Sequence, residues 1–527
     1  MRSTARRIVT LGAIILALSG CGVNDADIEH WKHTQRGPRK ITTVLVESRY
    51  PQPLRVHAAR ALIEMKHPNA SGLDLLQGAM QSMAAPDREP IVHLLVPELQ
   101  NMMGTGAQPA PSAQGPTEQM IKAKDAAYIL IRGDGRSTFG SAEDRTTLSN
   151  AVLDWLLADF NTRALAGSYT AEQIVTAIGP SATDRLGQAI AFTEQAIPVS
   201  VEVAKLVNAV APPPGKQAVA TRIVAVATEI EGPGGTDRLR TITRELLTRN
   251  NVQGITDAIV ATKAEQLRNQ YLTVLFEALK TLGQPAGTEY LMRVAANADA
   301  PIERRKNALT AAAGTINSSH APALLAIANC AGGLPRCDVE LRGIAIDRVG
   351  ETRDRALLPQ LYTLFDGANG TAADGGFIVR WKLGEAIVRL GGASELSSFM
   401  QHLGTSRAAP FPGYTFTELN GDAQAIGDIT PPPRDVMRSY LTNNHPVPVR
   451  LLAMMYLGIK GEQQDLARLQ AYTGEATAIQ GEGWNDPQAQ LTTVGAVANR
   501  TLQSLQQVLR QGQQVNPGGA AGTPPAR

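Results

Sequence analysis

The chain has 527 residues, 43% of them hydrophobic and 19% charged, with 50 Lys+Arg against 48 Asp+Glu. Length alone suggests three or four ordinary domains or one elongated repeat array. The apolar content excludes a disordered polyelectrolyte, and the balanced charge argues against a dedicated nucleic-acid binder, which needs a basic stripe. Aromatics are only 4%. A core must then be built from Ala, Leu, Ile and Val, which suit packed helices better than strands. The expected fold class is all-α.

Arg2, Arg6 and Arg7 form a basic start without an acid, and Ile8 to Leu18 is an apolar run. Such a run is too short for a span of about 20 residues but fits a secretory signal. Leu18-Ser19-Gly20-Cys21 follows. This arrangement resembles the lipobox of bacterial lipoproteins. The resemblance implies cleavage before Cys21, diacylglycerol on its thiol and acylation of the new amino terminus. Residues 1–20 are then a signal peptide and 21–29 an acylated tether. Cleavage removes three arginines and no acid, leaving 47 basic against 48 acidic residues. Gly22 follows the acylated residue where an Asp would signal inner-membrane retention in enteric bacteria. The expected location is the bacterial cell envelope, with the outer membrane favoured.

Further along, Glu29-His30-Trp31-Lys32-His33 places two histidines three apart, with no third ligand spaced to complete a metal site. They are expected to be solvated. After Gly37-Pro38, Ile41, Val44, Leu45 and Ser48 form one stripe, which Tyr50-Pro51-Gln52-Pro53 interrupts. Leu54, Ala58, Ala61, Leu62 and Met65 then resume at helical spacing beside Arg55. Arg268, Arg305, Arg342, Arg380 and Arg450 stand 37, 37, 38 and 70 apart, the last close to two units. Three residues beyond each stand Tyr271, Ala308, Ala345, Leu383 and Ala453. Seven beyond stand Leu275, Ala312, Val349, Ile387 and Leu457. Steps of three and four put these on one helix face, and a face repeated this way is buried by stacked neighbours. Arg185 and Arg222 continue the spacing more faintly.

This helix–Pro turn–helix unit, with an Arg before a small apolar pair, resembles a HEAT repeat. The resemblance covers about residues 37–66 and 251–475. It implies an α-solenoid of HEAT-like helix pairs over 30–512, with a surface suited to a protein partner. Segments 104–117 and 212–216 are too rich in Pro and Gly for helix interiors. An irregular Pro-rich insertion at 405–433 takes the place of a missing repeat between Arg380 and Arg450. Phe411, Tyr414 and Phe416 gather there, and they either meet a partner or fold back to fill the gap. The partner-contact reading is the expectation. Residues 513–527 lack apolar periodicity and are expected to be a disordered tail.

With Cys21 acylated, Cys330 and Cys337 form an even pair flanking Gly332, Gly333 and Pro335, as a local disulfide would. Closing so short a loop stabilises by about 2 to 3 kcal/mol on the chain-entropy model. Asp347, Arg348, Arg353, Asp354 and Arg355 read as salt bridges between stacked repeats, and Met454, Met455 and Tyr456 as core. The chain lacks the nucleophile elbow, the phosphate-binding glycine loops and the zinc-protease helix motif. No catalytic residue, metal or cofactor is assigned. The reading is a lipid-anchored, non-catalytic scaffold that binds a protein partner and no nucleic acid. Its rivals are an envelope enzyme with a site in 405–433, or a HEAT-like protein akin to bilin lyases.

Overall fold

The computed structural model describes residues 22–105, 115–133, 138–330, 338–368, 376–405, 413–481, 484 and 490–515. The chain divides into two compact units, Met1–Leu282 and Gly283–Arg527. The first begins with α1 (Asp25–Trp31), α2 (Gly37–Val46), α3 (Gln52–Glu64), α4 (Gly72–Ser82), α5 (Ala85–Met103), α6 (Glu118–Arg132) and α7 (Ala142–Ala158). It continues with α8 (Phe160–Arg163), α9 (Ala171–Ile178), α10 (Thr183–Ala189), α11 (Ser200–Val210), α12 (Pro213–Glu231), α13 (Pro233–Arg249) and α14 (Asp257–Leu282). The second begins with α15 (Pro285–Ala296), α16 (Ile302–Ala311), α17 (Ala321–Ala328), α18 (Val339–Glu351), α19 (Leu358–Gly367) and α20 (Gly376–Gly391). It ends with α21 (Leu396–Gly404), α22 (Phe416–Gly427), α23 (Arg434–Ser439), α24 (Val447–Lys460), α25 (Asp465–Gln470) and α26 (Val494–Val515).

The pairing is that of an α-solenoid. In the second unit, α16, α18, α20, α22, α24 and α26 pack each on the next, while α15, α17, α19, α23 and α25 lie beside the second helix of their pairs. In the first, α3, α5 and α7 stack in the same way, as do α2, α4 and α6. Every residue predicted at the +3 and +7 positions is buried, from Tyr271 and Leu275 to Ala453 and Leu457.

The recurring arginine has a definite task. It is the fourth residue of α3, α5, α16, α18 and α24, as Arg55, Arg88, Arg305, Arg342 and Arg450. A helix leaves its last carbonyls without donors and carries partial negative charge there. Arg55 Nε donates to Leu45 O at 2.9 Å, Arg305 Nε to Ala295 O at 2.8 Å, and Arg342 Nε to Ala328 O at 2.8 Å. Arg88 Nη1 reaches Met80 O at 3.1 Å. These four guanidinia therefore tie the start of a second helix to the end of the first helix of its pair, while Arg450 bonds Asn443 and Glu475. Arg222, in the middle of α12, also donates through Nε to a helix-end carbonyl, Ile190 O at 3.1 Å, but Arg185 makes an exposed pair with Asp154. Arg268 lies mid-helix in α14 and bonds Thr236 and Glu265, so that member of the series is not a joint.

Three expected boundaries change. Residues 24–29, expected in a tether, belong to the fold, because Asn24 and Asp27 cap α1 and Ile28 is fully buried. The 405–433 segment is not irregular throughout, since α22 occupies Phe416–Gly427. Residues 513–515, expected in the tail, belong to α26, which runs to Val515; residues 516–527 lie outside the described residues. Pro213 opens α12 at its first position, where a missing N–H costs nothing.

Replacing Arg305 by Ala is expected to cost about 1 to 3 kcal/mol, the range for leaving a buried polar group unsatisfied. Lys, a point charge without the planar fork, is expected to recover only part of the loss. The check is the denaturant midpoint of the second unit; an unchanged midpoint for Arg305→Ala contradicts the joint.

Candidate functional site at the α20–α22 seam

The sequence reading placed its partner-contact residues where α22 begins. Thr415 caps that helix: its Oγ1 accepts from Glu418 N at 3.1 Å, and its own N–H donates to Glu418 Oε2 at 2.6 Å. This Thr-x-x-Glu capping box was legible in the sequence, and the surrounding prolines hid it. Glu418 then has a second use. Arg380, 1% exposed on α20, donates through Nε to Glu418 Oε1 and through Nη2 to Glu418 Oε2 at 2.8 Å. Glu418 is 38 residues past Arg380, where the spacing calls for the next arginine, so a carboxylate replaces the missing repeat cation.

The segment before α22 is clamped from two sides. Arg380 Nη2 donates to Gly413 O at 2.9 Å, and Trp484 Nε1 donates to Tyr414 O at 2.7 Å. Gly413 has φ +85°, and a Cβ there would lie 2.2 Å from Gln480 O. Gly481, at φ +133°, would press a Cβ to 2.2 Å from Tyr414 O. Only glycine fits such positions.

Tyr414 is 3% exposed, which corrects its assignment as a partner contact. Its ring stacks on Phe365 at 6.4 Å, and the Arg380 guanidinium sits 4.4 Å from its centroid. Phe416 is half-buried, edge-on to Trp484 at 5.5 Å, with Arg500 over its other side at 5.7 Å. Phe411 lies outside the described residues. The rings therefore fill the repeat gap, and the clamp responsible, Trp484, is 70 residues away in the chain. A hollow of about 370 Å³ remains beside Tyr414, walled by Leu403, Leu419, Pro446, Leu451 and Ile479.

One turn along α22, Asp422 is also buried, and its Oδ1 has no hydrogen-bond partner. Burial pushes its carboxyl well above the usual carboxylate range; the charges of Glu418 and Glu385 add to that, and Arg380 opposes it. The two helices cross closely on reciprocal glycines. A Cβ on Gly384 would lie 2.4 Å from Asp422 Oδ1, and one on Gly421 would lie 1.9 Å from Trp381 Nε1.

Along α20, Glu385 accepts from Trp381 Nε1 at 3.0 Å and from Lys382 Nζ at 3.1 Å. Asp347 of α18 pairs with Lys382 at 3.4 Å and Arg389 at 3.7 Å. Burial raises the Asp347 carboxyl against the pull of these two cations. Arg348 pairs with Glu351, and Arg355 bonds Ser394. Asp347 and Arg355 thus reach the next repeat, whereas Arg348 pairs within α18 and Asp354 caps the turn after it. Met454, Met455 and Tyr456 are core, and His30 and His33 are exposed. Cys330 is disulfide-bonded. Cys21 and Cys337 lie outside the described residues, so lipidation and the Cys330–Cys337 pairing are taken up below as proposals.

No family model matches the chain, and no curated protein matches it. Among solved structures it is similar to Kap121p bound to Pho4p, at 9% identity over 93% of this chain and 53% of that one, with a TM-score of 0.30. It is similar to importin beta in an ammonium sulfate condition, at 11% identity over 90% of this chain and 75% of that one, TM-score 0.25. For She4p the identity is 10%, over 95% of this chain and 85% of that one, TM-score 0.19. The chain spans about half the length of the Kap121p chains it matches. The α-solenoid class rests on the chain's own helix pairing.

Truncating Tyr414 to Ala is expected to lower stability by about 3 to 5 kcal/mol, the cost of deleting a buried ring. Thermal unfolding measures it. A melting temperature that hardly moves would restore Tyr414 to the surface role.

Proposed function

We propose that the protein is a lipid-anchored, non-catalytic scaffold of the bacterial cell envelope, with the outer membrane favoured, that holds a protein partner on its helix-repeat surface. The observation that carries this is the order of its N-terminal parts: three arginines, an apolar run and Leu18-Ser19-Gly20-Cys21, directly ahead of a repeat fold. Among the described residues, no helix is long and apolar enough to cross a membrane. Lipid on Cys21 is the attachment the reading calls for, and several chains hold where one would not.

The start of the fold suits a short anchor. Only Gly22, Val23 and Asn24 separate Cys21 from α1, a reach of about 10 Å at full extension. The first helix is fastened to the third. His57 Nδ1 pairs with Asp25 at 2.9 Å and His57 Nε2 with Glu29 at 2.8 Å, while Lys32 Nζ pairs with Glu64 at 2.7 Å. A pull on the lipid would pass through α1 directly into the helix stack. At 405–433, Thr415 and Glu418 are engaged in capping and in the Arg380 pair, which favours a structural use of that segment. Because Tyr414 is packed, the partner surface is sought on other helix faces.

Two measurements test the reading. Cys21→Ala is expected to abolish lipid labelling and detergent partitioning of the mature chain; retained labelling contradicts the anchor. For the proposed Cys330–Cys337 bridge, thiol trapping in intact cells is expected to leave both cysteines unmodified until reduction. Free alkylation of both would contradict the bridge and the oxidising compartment together.

A further inference from the structure

Asp422 has no role in capping, in the arginine joints or in the proposed anchoring. It is nonetheless a carboxyl sealed between two helices, with Oδ1 lacking any hydrogen-bond partner. The surface opposite it is the bare backbone of Gly384, close enough that a methyl group there would stand 2.4 Å from Oδ1. The cation that acts on it, Arg380, already gives Nε and Nη2 to Glu418. Around Asp422 the charged groups are Glu418 on its own helix and Arg380 and Glu385 on α20. From α24, on the far side of α22, come Arg450, bonded to Asn443 and Glu475, and Lys460, which lies beside Gly427. Two carboxylates therefore act on Asp422: Glu418, which holds the Arg380 guanidinium, and Glu385, which pairs with Lys382.

A neutral carboxylic acid tolerates such a site; an ion with an unsatisfied oxygen does not, because burial without a partner penalises the charged form most. We propose that Asp422 makes the α20–α22 seam proton-dependent: the seam is closed around the protonated acid and loosens as the pH rises and the proton is lost. The direction follows from linkage. Burial and the two neighbouring carboxylates hold the folded-state carboxyl above its ordinary value. The stabilising protonation is complete in acid and is lost as the pH climbs through that raised value. The consequence is local, because in a stacked array each repeat contacts only its neighbours. The loosened element is α22 with the Tyr414 clamp at its start.

The test compares amide hydrogen exchange in α22 of the full mature chain with that of Asp422→Asn across a pH series. Asn keeps the shape and cannot ionise. Between the ordinary carboxylate value of about 4 and the raised folded value, the opening constant of wild type relative to the variant is expected to rise about tenfold per pH unit. Parallel opening in both proteins at every pH overturns the proposal. A second measurement needs no variant fold. In the wild-type chain with carbon-13 at the aspartate carboxyls, the Asp422 signal is expected to stay in its protonated position well above pH 4. A carboxyl that titrates near the ordinary value of about 4 overturns the proposal by itself.

Discussion

The structure depends on one recurring contact, a guanidinium in the first turn of a second helix bonded to the last carbonyls of the first helix of its pair. Those carbonyls have no donors within their own helix, and a planar cation meets both their need for hydrogen bonds and their partial negative charge. Arg55, Arg88, Arg305 and Arg342 all do this from the same position. The contact fixes how one helix turns back on the next, and small residues such as Ala308, Ala345 and Ala453 then let the stacked helices approach. At Arg380 a carboxylate enters the device. Its guanidinium reaches forward to Glu418, so the joint there lies between repeats.

That exchange explains the polar character of the α20–α22 seam. A carboxylate partner brings a second buried charge, whose cost is offset only when its geometry and hydrogen bonds are complete. Glu418 achieves this by combining the arginine with the Thr415 capping box. Asp422, one turn further, has no such completion. The same crossing that brings the two helices together on Gly384 and Gly421 therefore produces both the strongest and the least satisfied carboxyl of the seam.

Much of the fold was legible because the repeat writes itself into sequence as an arginine followed by small apolar residues at fixed steps. All ten residues read at those steps are buried. What stayed hidden was non-local. A Glu in place of an Arg breaks the visible series, so α22 reads in sequence as an irregular insertion although Thr415 and Glu418 announce its start. The cluster of Tyr414 and Phe416 looks the same in sequence whether it meets a partner or a gap. Trp484 and Gly481, brought close only by folding, decide it. Arg268 matches the series by spacing yet sits inside a 26-residue helix, since periodicity reports a helix face and not a helix start. On the functional side, the N-terminal run was the informative feature, and the short link from Cys21 to α1 lets the proposed anchor act on the helix stack.

The central claim, that a buried arginine joint holds the repeats and is carried at the gap by Arg380 and Glu418, is tested most directly by a double-mutant cycle. Arg380→Met and Glu418→Leu would be made singly and together, and the unfolding free energy of the second unit measured for each. Each single change leaves an uncompensated buried charge and is predicted to cost about 3 to 5 kcal/mol, whereas the apolar pair recovers most of that loss. Single effects that simply add in the double variant would contradict the joint.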